Sequence, residues 1–374
     1  MEKRTIETLN SLLDQLKAPL QDDIDKCIDA LSRMKKIHDE MKNIENNTKV
    51  LTLILYRKCL EKSSAIESEK PRMVSNRIPT IKLIPDPFIE RTLSLSSFGK
   101  FIYPNEIIKV TGKTKHNIKR WGDFYTCMIS DICETDNGKL LIIDRKNEAA
   151  KLLDKDFKVA SFNFLPHKPM FMCSIAPSLF AVTLDNSEVV FIIVAKNGQM
   201  VQDRTLKLQH NCLGIAHYQG NLYITSGTAL YHYTVRGRLV SKIYQDKSSD
   251  TTVESCAISQ DGTSLYVSNS MKLVTLLRDG TVINVIHTPD IRLNTNVPPS
   301  LHCSGLRVTD SGQVLVCRGQ HTIFQVDGDG RQKLVELVTE KDGVKWPTAV
   351  YYSKTRASLI VGMVDSDFIW VFKT

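Results

Sequence analysis

The residues with the most evident chemical potential are Gly112, Lys113 and Thr114, which spell the tail of a phosphate-binding loop. That loop needs a glycine five residues before Gly112, and position 107 is Ile, so the match is read as chance. Asp327, Gly328, Asp329 and Gly330 resemble the start of a calcium loop, but the bidentate acid expected at its twelfth position is Val338. The stretch is read instead as a hairpin turn between two strands. The 9 histidines are scattered, and no nucleophile-elbow or zincin motif occurs. No catalytic residue is assigned.

The 9 cysteines include no C-x-x-C pair; Cys127 and Cys133 stand closest, with five residues between them. Ligands for one tetrahedral zinc ion usually come in closely spaced pairs, so no zinc module, no other metal site and no cofactor is expected. Scattered thiols suit a reduced cytosolic protein in which most cysteines pack as small apolar residues.

One stretch keeps a functional candidate. KVTGKTKHNIKRW carries Lys109, Lys113, Lys115, His116, Lys119 and Arg120, with Trp121 beside them. Cations next to an aromatic suit the phosphates and bases of single-stranded RNA, or an acidic partner. The same lysines also suit an edge strand guarded against aggregation. The net charge of +8 is concentrated around this stretch: residues 1–70 are net zero, 71–126 are +6 and 127–374 are +2.

The elements that would position these residues fall into three parts. Residues 1–68 read as a long coiled-coil helix, with a seam through Leu13, Leu16, Leu31, Met34, Met41, Ile44, Leu51 and Leu55. Such a stripe needs a partner helix, and homodimerisation is expected over packing on the rest of the chain. Residues 69–90 contain Pro71, Pro79, Pro85 and Pro87 and read as an extended linker.

Residues 91–374 repeat. KLLIIDRKNEAAKLLDKDFKV from Lys139 recurs as LFAVTLDNSEVVFIIVAKNGQMV, NLYITSGTALYHYTVRGRLV, SLYVSNSMKLVTLLRDGTVI, QVLVCRGQHTIFQVDGDGRQ and SLIVGMVDSDFIWVFKT. The residue after each apolar triplet falls at Asp144, Thr183, Thr225, Ser268, Cys317 and Gly362, with separations of 39, 42, 43, 49 and 45. A further strand-like piece precedes each copy. Four strands per 40–45 residues is the size of a propeller blade, so the fold class is mainly β, a six-bladed β-propeller after a helical coiled coil. The sixth copy ends without a fourth strand, and NEIIKVTGKTKHNIKR is expected to supply it. The six marker positions are too mixed in chemistry to hold a divalent cation.

A coiled coil, a proline-broken linker and blades of this form resemble the C-terminal half of tripartite-motif proteins of the NHL-repeat class. The resemblance implies an antiparallel coiled-coil dimer and a propeller that recruits protein or RNA targets. In the family, a RING and B-boxes precede the coiled coil and the RING gives ubiquitin-ligase activity. This chain opens inside the coiled coil, which implies no ligase activity of its own. The expected function is a non-enzymatic scaffold or adaptor for a protein target, acting in ubiquitin-dependent regulation. RNA binding is the alternative, and a lactonase-type hydrolase a third reading. The opening MEKRTIETLN has no signal-peptide core and the longest apolar run is Val189–Ala195, so a cytoplasmic protein without membrane contact is expected.

Overall fold

The computed structural model describes residues 105–287 and 305–374, apart from Ser270 and positions 319–320. It also describes strands Lys82–Ile84 and Lys100–Ile102 and the helical positions Asp29 and Ser32. The expected coiled coil, with its seam from Leu13 to Leu55, therefore lies outside the described residues, as does most of the linker. Within that linker, Lys82–Ile84 is a strand, paired antiparallel with Lys100–Ile102. The chain divides into two compact units, Pro79–Asp86 with Gly99–Thr374 and Met1–Ile78 with Pro87–Phe98. The first contains the propeller.

Six four-stranded antiparallel sheets form the blades. Their innermost strands are Ile129–Glu134, Pro169–Ala176, Ile215–Tyr218, Ser255–Ile258, Leu306–Val308 and Pro347–Ser353, and each touches the next around a ring. Burial falls outward in the way the sequence pattern requires. In the first blade, Leu140–Asp144 and Ala149–Leu153 are buried at every residue, whereas the outer strand Val159–Phe164 alternates half-buried and exposed positions. A strand covered on both faces needs a continuous apolar run, and an outer strand needs alternation.

Apolar side chains pack between blades. One cluster fills each of the six interfaces, for example Ile143, Leu152, Phe180 and Val182 between blades one and two, and Ile129, Ile142, Ile360 and Val371 between blades one and six. At about 25 cal/mol per Å² these interfaces are the main favourable term. Some approaches leave no room for a Cβ. One added to Gly214 of blade three would lie 2.8 Å from the Cys256 nitrogen of blade four.

The ring closes with an N-terminal strand. Gly112–Asn117 pairs antiparallel with Phe368–Lys373 as the outer strand of the sixth blade. Gly112, Lys113 and Thr114 therefore lie in a sheet and not in a phosphate loop. Hydrogen bonds from Thr111 N to Lys373 O (2.8 Å) and from Ile118 N to Asp367 O (2.9 Å) extend the ladder at both ends. Asp327–Gly330 is the turn between Thr322–Val326 and Lys333–Val338, closed by Gly330 N donating to Asp327 O at 2.8 Å.

The six marker positions act within the fold. Asp144, Thr183, Thr225, Ser268 and Cys317 are buried and none of them lines the central cavity. Three of them accept the N–H that opens their own blade: Asp144 from Met128 (3.0 Å), Thr183 from Phe171 (3.1 Å) and Thr225 from Gly214 (2.7 Å). The threonine hydroxyls then donate to the following blade, Thr183 to Leu213 O and Thr225 to Glu254 O. A small hydroxyl at this point stitches two blades together and leaves no unpaired buried backbone group.

Candidate functional site

The loop from the closing strand to the first blade crosses the end of the propeller that carries the connections between blades. Its sequence is Ile118-Lys-Arg-Trp-Gly-Asp-Phe-Tyr-Thr-Cys127. Ile118 and Cys127, at its ends, are fully buried in the cluster between blades six and one. Between them the chain makes a β-turn, in which Asp123 N donates to Arg120 O at 3.1 Å. Gly122 is its third residue, with φ of 95°, a backbone state that side-chain-bearing residues resist. Trp121 consequently sits at the corner of the turn.

Under the turn lies a cluster of buried charge. The Lys151 ammonium sits 2.6 Å from Asp123 Oδ2, 2.7 Å from Asp144 Oδ2, 3.3 Å from Cys127 Sγ and 3.3 Å from Ile118 O. The Lys151, Asp123 and Asp144 side chains of these pairs are 0% exposed. Burial alone would raise the Asp123 carboxyl, but the Lys151 and Arg120 contacts outweigh it and hold the carboxyl below its ordinary range. Burial likewise pushes Lys151 down, and the two aspartates more than reverse this, so the lysine is a settled cation. Burial, reinforced by the Asp144 charge, drives the Cys127 thiol far up, so it is not a nucleophile.

Asp123, Cys127 and Asp144 are the one group of three potential metal ligands that comes together among the described residues. Its centre is taken by the ammonium, a cation tethered to the chain. Asn147 ties the turn down a second time: its amide nitrogen donates to Asp144 Oδ2 (2.8 Å) and Tyr125 O (3.1 Å), and its oxygen accepts from Tyr125 N (3.0 Å). Asp367 of the sixth blade does so a third time, accepting from Cys127 N at 3.0 Å and pairing with Lys119 at 3.3 Å.

Above this base the aromatics stand in solvent. Trp121 is 98% exposed, Phe124 92% and Tyr125 63%. Phe162 and Phe164 of the neighbouring outer strand extend the patch, packed edge to face at 5.4 Å, with the Arg120 guanidinium 3.5 Å above the Phe162 ring. Single exposed apolar residues are ordinary; three exposed aromatics on one turn, at positions 121, 124 and 125, make it the candidate surface.

The candidate residues from the sequence divide along this geometry. Lys119, Arg120 and Trp121 belong to the turn. Lys113 and Lys115 lie away from it on the closing strand, with Lys113 donating to Asp342 O at 2.8 Å and Lys115 lying 3.9 Å over the Phe368 ring. His116 faces the Phe157 ring at 4.4 Å, and burial lowers its pKa. Lys109 is exposed ahead of that strand. The basic residues thus divide between the closing strand and the loop after it; Lys113 and Lys115, two residues apart, share one face of the strand and both lie over the Trp370 ring. Near the turn the cations already have partners: Lys119 with Asp367, Arg120 with Asp123 at 3.3 Å, and Lys146 with Asp365. Sequence reasoning missed Phe124, Phe162 and Phe164 on the surface and Asp123 and Lys151 beneath it. A signal for Lys151 was present, since it is the single polar residue in the strand AAKLL.

No protein-family model matches the chain, and no curated protein matches it either. Solved structures do. Virginiamycin B lyase from Staphylococcus aureus aligns over 70% of this chain and 99% of its own at 12% identity and a TM-score of 0.46. A streptogramin B lyase covers 70% and 87% at 13% identity and 0.49. A luciferin-regenerating enzyme covers 70% and 96% at 12% identity and 0.51. At such identity the likeness concerns the fold, a six-bladed propeller, and not the chemistry. No helix among the described residues is long and apolar enough to cross a membrane.

Proposed function

We propose that this chain is a non-catalytic docking protein whose propeller captures a partner protein on the aromatic turn at Trp121–Tyr125. The observation that carries the reading is the near-complete exposure of Trp121 and Phe124 above a base whose side chains are fully buried. Burying one such aromatic contributes about 1.5–3 kcal/mol, and a turn that is already rigid loses little further entropy on binding. A protein is favoured over RNA because Lys119, Arg120 and Lys146 are paired with carboxylates, whereas phosphate binding draws on cations free to release counterions.

The hydrolase reading needs carboxylates open to a divalent ion, and the pair gathered under the turn holds Lys151 instead. As in the tripartite-motif proteins that the sequence resembles, the propeller would be carried by a coiled-coil homodimer, raising its effective affinity for repeated targets. An adaptor role in ubiquitin-dependent regulation rests on that resemblance.

The test places a photo-crosslinking phenylalanine analogue at position 124 of the full chain in living cells, with and without Trp121→Ser. A discrete protein adduct that disappears with Trp121→Ser, while thermal unfolding stays unchanged, is the expected result. Adducts to nucleic acid alone would transfer the site to RNA, and no adduct at all would remove it as a docking surface.

A further inference from the structure

Arg307 leaves the short inner strand of the fifth blade and reaches the first. Its Nη2 donates to Ile132 O and lies 2.9 Å from Cys133 Sγ, and its guanidinium packs 5.2 Å from the Tyr351 ring centre. The Asp131 carboxylate stands 3.6 Å away, beyond direct hydrogen-bond length. Asp131 is itself fixed, accepting from Ile132 N at 2.8 Å and from Met172 N at 2.9 Å in the second blade. Arg307 Nε, by contrast, is buried and has no hydrogen-bond partner. The rest of the guanidinium is not sealed off in this way, since the Arg307 side chain is 19% exposed.

Beside this pair the channel opens into a cavity of about 290 Å³. Its walls come from the inner strands of blades two to five, with Phe171, Ile215 and Ala257 among the apolar side chains. The other polar side chains there are mostly committed to the fold. His217 Nε2 accepts from Gly220 N at 3.0 Å, the Tyr218 hydroxyl donates to Asp261 O at 2.9 Å, and the Gln260 amide donates to Thr309 O at 3.0 Å. Burial holds the Cys173 and Cys256 thiols far above their ordinary range, so they offer packing and not nucleophiles.

We propose that this cavity binds a small uncharged molecule that presents a carbonyl acceptor beside an N–H or O–H donor, as in a carboxamide, a lactam or a nucleobase edge. The acceptor takes the open side of the Arg307 guanidinium, whose side chain is 19% exposed, and the donor faces the Asp131 carboxylate, 15% exposed. Arg307 and Asp131 neutralise one another, so a neutral ligand brings no net charge into the channel, whereas an anion would have to be buried without a counterion. The site is separate from the aromatic turn and stands or falls without it.

The experiment is saturation-transfer NMR on the full chain with nicotinamide, uracil and 2-pyrrolidone as uncharged probes, and acetate and inorganic phosphate as anions. Two variants accompany it: Arg307→Met, which removes the donor, and Ser174→Trp, which fills the cavity from an exposed position and leaves the Arg307 contacts in place. Saturable binding of at least one uncharged probe, weakened about tenfold or more in Ser174→Trp and in any folded Arg307→Met, is expected. The proposal is overturned if no uncharged probe binds at millimolar concentration, if Ser174→Trp leaves binding unchanged, or if acetate or phosphate binds more tightly.

Discussion

Replacing Lys151 by Met puts the buried ion cluster to the test. The substitution keeps an unbranched apolar stem, one atom shorter, but removes the charge that lies 2.6 Å from Asp123 and 2.7 Å from Asp144. The two carboxylates then lose the counter-ion they share, and Asp123 retains only Arg120. Breaking a buried pair by removing one partner costs about 3–5 kcal/mol, and here two pairs lose the same partner, so the upper end applies. For a propeller of this size that corresponds to a fall in Tm of roughly 10–15 °C.

The loss should depend on pH with a definite sign. The folded-state pKa of Asp123 lies below its ordinary value in the native protein, so its contribution is present at neutral pH and lost as pH falls through that pKa. In Lys151→Met the Asp123 carboxylate escapes its isolation by taking up a proton. The stability gap between the native and variant proteins should therefore narrow from pH 7.5 towards pH 4. Thermal unfolding followed by circular dichroism at both pH values reads this directly. A gap under about 1 kcal/mol at pH 7.5, or one that widens in acid, would refute the claim that the ammonium holds the turn.

Three further outcomes are expected. Glu254 is buried with Oε2 unpaired, and burial raises its pKa from 4.5 to about 8; stability from this group is therefore lost as pH rises between those values, and Glu254→Gln should gain a few kcal/mol over the native protein at pH 8.5 but little at pH 5 by urea unfolding. Gly214→Ala forces a Cβ to within 2.8 Å of Glu254 O and Cys256 N, both backbone atoms, and should lower stability by about 1–3 kcal/mol; an unchanged Tm would mean that the two blades can part there. Removing residues up to Asn117 leaves Phe368–Lys373 as an open edge, and light scattering should find aggregates in place of a folded monodisperse propeller.

The ring was legible in the sequence because each blade repeats the same burial profile, and the missing fourth strand of the last copy pointed back to the segment before the first. The roles of the marker positions were not. A threonine at the end of an apolar triplet resembles any strand end, and only the ring geometry brings Thr183 to Leu213 O and Thr225 to Glu254 O. The basic stretch was legible as charge on the closing strand and the loop after it, but the partners of its side chains were not, since only the folded chain brings Lys115 over Phe368 and Lys119 to Asp367. Arg307 gave no signal. Its partners Ile132 and Cys133 are 175 and 174 residues away, and the strand that bears it is three residues long.

The aromatic turn and the cluster beneath it make sense together in energetic terms. A buried ammonium with two carboxylates is seldom the most stable filling for its volume, since apolar side chains of similar size often serve as well or better. Two aromatics in water are likewise left where folding gains nothing from them. What the ion cluster does supply is direction. Lys151 directs its three N–H groups at Asp123, Asp144 and Ile118, with Cys127 Sγ also within reach, on both limbs of the loop and on the blade below, so the loop has few ways to satisfy them together. An apolar filling would allow the turn to slide, and Trp121 would lose its fixed bearing. The placement of charge below and aromatic surface above is thus the arrangement expected when the conformation of the turn, and not the stability of the blade, is what binding requires.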